Sequence, residues 1–105
     1  MKSSLNYNQQ LFQAFLQLKN SEELGRFCHD LLSPSEIREV SARFQAAKML
    51  KNKISYQVII AETGLSSATI AKISRNLKNS RGGYKLAFKR LSDRKLHLEK
   101  KTNNC

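Results

Sequence analysis

The sequence predicts an all-α fold of about six helices, and three observations carry that prediction. Apolar residues recur every three or four positions along most of the chain, the period of a helix with one buried face. Residues that cap helix starts stand in front of those stretches, among them Ser21, Ser33, Ser55 and Ser66. No apolar–polar alternation of the kind that marks a strand occurs, and no internal repeat is present.

In the first helix, about residues 6–19, Leu11, Phe12, Phe15 and Leu18 form one stripe. Asn20-Ser21 breaks it, and Ser21-Glu22-Glu23 is a capped start with acids at the positive end of the next helix dipole. That short second helix ends near Leu31-Leu32. Ser33-Pro34-Ser35-Glu36 then opens a third: Ser33 serves as N-cap, Pro34 takes the first helical position and Glu36 completes a capping box. Ile37, Val40, Phe44, Ala47 and Leu50 are expected to face inward along it, to about Lys51, where Asn52-Lys53 ends the helix.

Residues 55–76 read SYQVIIAETGLSSATIAKISRN. Ser55 caps a helix, Thr63-Gly64-Leu65 turn the chain and Ser66 caps the next helix. Gly64 stands where a left-handed residue is needed. Ile59, Leu65, Ile70 and Ile73 are spaced to meet across the turn, leaving Ser67, Ala68, Thr69 and Lys72 outward. The position four before Gly64, a small residue in many such turns, is Ile60. This pattern is a helix-turn-helix, whose second helix is shaped to lie in a DNA major groove. A simple αα-hairpin has the same outline, so charge must decide between them.

Beyond Leu77, Gly82-Gly83 punctuates the chain, and Tyr84, Ala87, Phe88 and Leu91 make one more short amphipathic helix. Residues 93–105 read as a basic, flexible tail, with continuation of the last helix as the alternative; residues 1–92 then form a single helical domain.

The formal net charge is +11, and it is unevenly placed. Residues 1–50 carry six basic and five acidic side chains, whereas residues 51–105 carry thirteen and three. The positive field therefore surrounds and follows the second helix of the motif, which points to a polyanion, double-stranded DNA above all. Other classes find little support. Cys28 and Cys105 are unclustered, His29 and His97 lack partners at metal-ligand spacing, and no phosphate loop, nucleophile elbow or carboxylate pair appears. No enzyme activity, metal or cofactor is expected, nor a secretory leader or membrane span, and a cytoplasmic protein is the expectation. The first-helix stripe and the Tyr84–Leu91 stripe both need cover, and a homodimer would supply it while setting two reading helices about one DNA turn (~34 Å) apart.

The order of elements from Leu31 to Leu91 resembles the Trp repressor family, in particular its small YerC/YecD-type bacterial branch. The matching pieces are LLSPSE at 31–36, a basic linker, Ile54-Ser55 and Gln57 before the turn, the Gly64 turn, Ala68-Thr69-Ile70 and Asn76-Leu77-Lys78. The resemblance implies an intertwined homodimer that binds operator DNA. By position it assigns DNA contacts to Gln57 and Ile60 on the first motif helix, and to Ser66, Ser67, Ala68, Thr69 and Ala71 on the second. Hydroxyls and the helix N-terminus would donate to phosphates, and Ala68 and Ala71 would pack on thymine methyls. Lys53, Lys72, Arg75 and Lys78 would add sequence-independent affinity. Gln57 is the main candidate for a bidentate base contact, so shape and water-mediated readout would share the work.

The same resemblance implies a tryptophan corepressor, and the residues argue against it. In the Trp repressor the indole lies between two arginines, beside a glycine of the reading helix. Here Arg43 keeps one arginine position and Ser33 offers the nearby hydroxyl. Lys72 replaces the second arginine, a point charge without a planar face, and Ile73 replaces the glycine, either filling the ligand's space or packing inward. The expected function is thus a dimeric, sequence-selective transcriptional regulator of repressor type with no assigned effector. The alternatives are a non-specific architectural nucleic-acid binder and a protein-interaction adaptor.

Overall fold

The computed structural model describes residues 4–79 and 81–103. Among them are six helices and no strand: α1 (Ser4–Gln17), α2 (Ser21–Leu31), α3 (Pro34–Lys51), α4 (Tyr56–Thr63), α5 (Ser67–Asn79) and α6 (Gly83–Asn103). Packing divides the chain into two units, residues 1–39 and 40–105, with the boundary inside α3.

In the first unit, α1 stops at Gln17 and the chain turns by a bond from the Leu18 N–H to the Phe15 carbonyl (3.2 Å). The cap of α2 is Asn20, one residue before the expected Ser21; its side chain accepts the Glu23 N–H at 2.9 Å. Glu23 reaches back to accept the Lys19 N–H at 2.8 Å, so two end groups are satisfied by one exchange. Asn takes the cap because its side-chain oxygen reaches the N–H three residues on, which leaves Ser21 to begin the helix. Phe15 and Phe27 meet edge to face, centroids 5.5 Å apart. Yet none of the described residues of this unit is buried, and Tyr7, Phe12 and Leu16 are mostly exposed.

The capping box at the start of α3 has the expected form. The Glu36 N–H donates to the Ser33 hydroxyl (3.2 Å) and the Ser33 N–H to a Glu36 carboxylate oxygen (2.8 Å). That backbone donor, and then the Ser33 side chain, hold the Glu36 carboxyl below the ordinary glutamate value.

The second unit holds the core. Ala46, Ala47, Ile59, Ile70, Ile73 and Phe88 are buried, with Phe44, Leu50, Leu65, Leu77 and Tyr84 among the residues packed against them. Two small residues on α3 let the isoleucines of α4 and α5 approach, and each buried isoleucine contributes about 1.5–3 kcal/mol. Ile59, Ile70 and Ile73 are inward as the spacing required, and Leu65 is half-buried. Val40, expected inward, is 58% exposed, and Leu91 is 54% exposed. Phe88 carries the α6 contact: its ring lies 5.3 Å from Phe44, stacks with Tyr84 at 6.2 Å and has the Lys51 ammonium 5.1 Å above it.

The main departure from expectation is α6. The helix does not stop near Leu91 but continues unbroken through Asn103. After Gly83 the sequence contains neither glycine nor proline and is rich in Lys, Leu and Arg, so propensity sustains a helix where no apolar stripe advertises one. Cys105 lies outside the described residues, as do the side chains of Leu96, His97 and Leu98.

Candidate nucleic-acid interface

Three short stretches of backbone position the motif. At the end of α3 the Ile54 N–H bonds to the Met49 carbonyl and the Lys53 N–H to the Leu50 carbonyl, both at 3.0 Å. This is a Schellman closure, and it places Lys53 in the left-handed region at φ 62°. Ser55 then caps α4, accepting the Val58 N–H at 3.4 Å.

The turn between α4 and α5 closes on Gly64 at φ 73°, with its N–H on the Ile60 carbonyl at 2.9 Å. A Cβ at Gly64 would meet nothing within 4 Å, so the dihedral and not crowding demands glycine. Thr63 locks this corner. Its hydroxyl donates to the Ile59 carbonyl (2.7 Å) and accepts the Leu65 N–H (3.3 Å). Sequence reading missed that role; the signal available was a threonine immediately before the turn glycine, able to bond back to the helix. Ile60, the residue that departs from the small-residue habit, is 38% exposed, and buried Ile59 beside it makes the inter-helix contact instead.

Ser66 caps α5. Its hydroxyl accepts the Thr69 N–H at 3.2 Å and donates to the Thr69 hydroxyl at 3.0 Å. One proton is therefore committed within the turn, whereas the Thr69 hydroxyl, acting there as acceptor, keeps its own proton. The first helical turn leaves N–H groups without intrahelical acceptors, the arrangement that favours an anion.

Ser66, Ser67, Ala68, Lys72, Arg75 and Lys78 are exposed on or beside α5, as are Lys53, Gln57 and Ile60 before the turn. Thr69 and Ala71 are half-buried. Those eleven residues belong to the 40–105 unit, so one packed body carries the proposed DNA contacts. Of the four residues considered for a ligand, Arg43, Lys72 and Ile73 lie in that same unit and Ser33 in the other. Ile73 is 2% exposed in the core, Lys72 is exposed and Arg43 half-buried, and Ser33 belongs to the 1–39 unit with its hydroxyl engaged in the capping box. Of the two readings of Ile73, inward packing is the one observed.

Among the described residues, no group of His, Cys, Asp and Glu is arranged to hold a metal ion, and no helix is long and apolar enough to cross a membrane. What the fold and this surface define is an all-helical protein built around a helix-turn-helix. Comparison with known proteins gives the family. The family model for the Trp repressor protein matches residues 6–92, and the chain belongs to that family of regulatory DNA-binding proteins. The uncharacterized protein YerC of Bacillus subtilis (strain 168) is 38% identical over 84 residues, which are 80% of this chain and 81% of that protein. The crystal structure of a TrpR-like protein from Eubacterium eligens ATCC 27750 is 42% identical with a TM-score of 0.76, covering 80% of this chain and 87% of the other. A Staphylococcus aureus crystal structure is 37% identical with a TM-score of 0.77, covering 83% and 87%.

Proposed function

We propose that this protein is a homodimeric, sequence-selective DNA-binding regulator of transcription, acting as a repressor by occluding polymerase at an operator. The observation that carries the reading is the exposed first turn of α5, Ser66–Ala68, fixed by the Ser66 cap and the Thr63 corner and flanked by exposed Lys72, Arg75 and Lys78. A rigid helix start offering N–H groups and hydroxyls, beside a row of cations, fits phosphate clamping and groove entry. Membership of the Trp repressor family supports the same use of the motif. Homodimerisation would cover the 1–39 unit, in which no described residue is buried.

DNA binding on this reading is independent of tryptophan. Ile73 fills core space, and Lys72 provides no planar face on which an indole could stack. The test is to select bound fragments from the source genome and measure their affinity with and without millimolar L-tryptophan, alongside Ser67→Ala and Thr69→Ala. Each substitution should weaken binding by about 1–3 kcal/mol with helicity unchanged, and tryptophan should change nothing. Parent-like binding by both variants would remove α5 from the groove. A tighter complex with tryptophan would restore the corepressor.

A further inference from the structure

On the 40–105 unit a cavity of about 610 Å³ lies among the end of α3, α5 and α6, a size that suits a small ligand. Its apolar walls include Leu50, Leu77 and Phe88. Around them stand Lys51, Lys53, Lys78, Lys85 and Lys89, with Ser74 as the other polar lining residue and no carboxylate. The Lys51 ammonium lies over the Phe88 ring, 5.1 Å from its centroid, which sets one cation against the aromatic wall. An inorganic anion would leave the apolar walls unused, and a neutral apolar molecule would leave the cations uncompensated. Only a molecule with both parts matches the lining.

We propose that this cavity binds a small organic anion that joins a flat apolar body to a phosphate head. The body would lie against Leu50, Leu77 and Phe88, with the phosphate among the lysines. The cavity is separate from the residues considered for tryptophan, since neither Arg43, Lys72 nor Ile73 lines it. Lys53 and Lys78 belong both to this cavity and to the candidate DNA surface. A bound anion would occupy two cations otherwise offered to phosphates and so would weaken the DNA complex. That coupling, unlike the binding itself, rests on the DNA-binding reading above.

The probe is 1-naphthyl phosphate, titrated by calorimetry into the whole protein without DNA, with inorganic phosphate and 1-naphthalenemethanol as single-feature controls. Saturable binding at one site per chain is expected, at least tenfold tighter than either control. The Lys85→Gln/Lys89→Gln variant changes only exposed α6 residues outside the proposed DNA contacts, and should weaken the probe at least fivefold with the melting curve retained. Absence of saturation, equal affinity for inorganic phosphate, or an unaffected double variant would each overturn the site. Equal affinity for phosphate would mark these lysines as backbone-phosphate contacts. In a second arm, saturating probe should weaken a selected DNA fragment at least fivefold for the parent and less for the double variant. Unchanged DNA affinity would overturn the coupling and leave the site standing. No DNA binding at all would sink the regulator reading while the first arm remained interpretable.

Discussion

Lys53 joins a strained backbone to the proposed DNA surface. It closes α3 in a left-handed conformation at φ 62°, a region where a side chain costs about 1–2 kcal/mol and glycine nothing comparable. Asn52, more tolerant of that conformation, sits one position too early: the 3.0 Å bonds from Lys53 and Ile54 to Leu50 and Met49 set the register. This strain was not legible in the sequence, because the register of a last helical turn depends on which carbonyls the exiting chain reaches. Lys53→Gly should therefore raise stability by about 1 kcal/mol in urea melts. It should also lower the salt slope of DNA binding by about 0.9, the loss of one phosphate contact. A less stable variant would mean that the lysine stem covers apolar surface worth more than the backbone strain.

At the scale of elements, the starts of helices were the most legible feature. Ser33 with Glu36, and Ser55 and Ser66, cap where their spacing to the following turn said they would, since a cap is a contact between residues two or three apart. The error at α2 has the same origin: Asn20 and Ser21 are both competent caps, and only the reach to the Glu23 N–H separates them. Helix ends and lengths depend on more. The continuation of α6 to Asn103 reflects accumulated propensity over charged residues, which an apolar-period reading discards. Ser66→Ala should cost about 1 kcal/mol of stability by releasing the Thr69 N–H, whereas the neighbouring exposed Ser67→Ala should leave melting within about 0.5 kcal/mol of the parent. Thermal melts of the pair check this, and equal melting would show that the Ser66 cap carries no stability. Together the two variants separate the serine that caps α5 from the one proposed to touch DNA.

For the whole molecule, the sequence foretold helices and a motif but not how burial is shared out. The spacing of Ile59, Ile70 and Ile73 identified the centre of the 40–105 core, while Ala46 was missed because it lies off the three- or four-residue spacing that picks out Phe44, Ala47 and Leu50. Leu11, Phe12, Phe15 and Leu18 form a stripe that needs cover, and within the chain it stays open: Phe12 is 55% exposed and the 1–39 unit contains no buried described residue. A period reports that a face needs cover and is silent on whether the cover comes from the same chain. On the proposed dimer, Phe15→Glu would place a charge against Phe27 inside a shared core. Size-exclusion chromatography and circular dichroism should show aggregation or unfolding. A soluble, helical monomer melting like the parent would make the α1 stripe peripheral.

The exposure of the motif's outward residues was legible because the motif lies within one packed unit and its outward residues follow from its inward ones. Gly64 and the buried isoleucines leave Ser66, Ser67 and Ala68 in solvent, and no long-range information is required. The roles of Lys85 and Lys89 were not, since they come beside Lys53 and Lys78 only through the packing of α6 by Phe88. The +11 charge alone would produce affinity for any DNA, so affinity is a weak test and selectivity a strong one. The decisive measurement is the dissociation constant of a selected genomic fragment and of random duplex DNA of equal length, across a salt series reaching physiological strength. A regulator working through the α5 surface should prefer the selected fragment by roughly 10³-fold or more, with both constants weakening as salt rises. Equal constants for the two DNAs at every salt concentration would contradict sequence-selective reading and leave only a charge-driven binder.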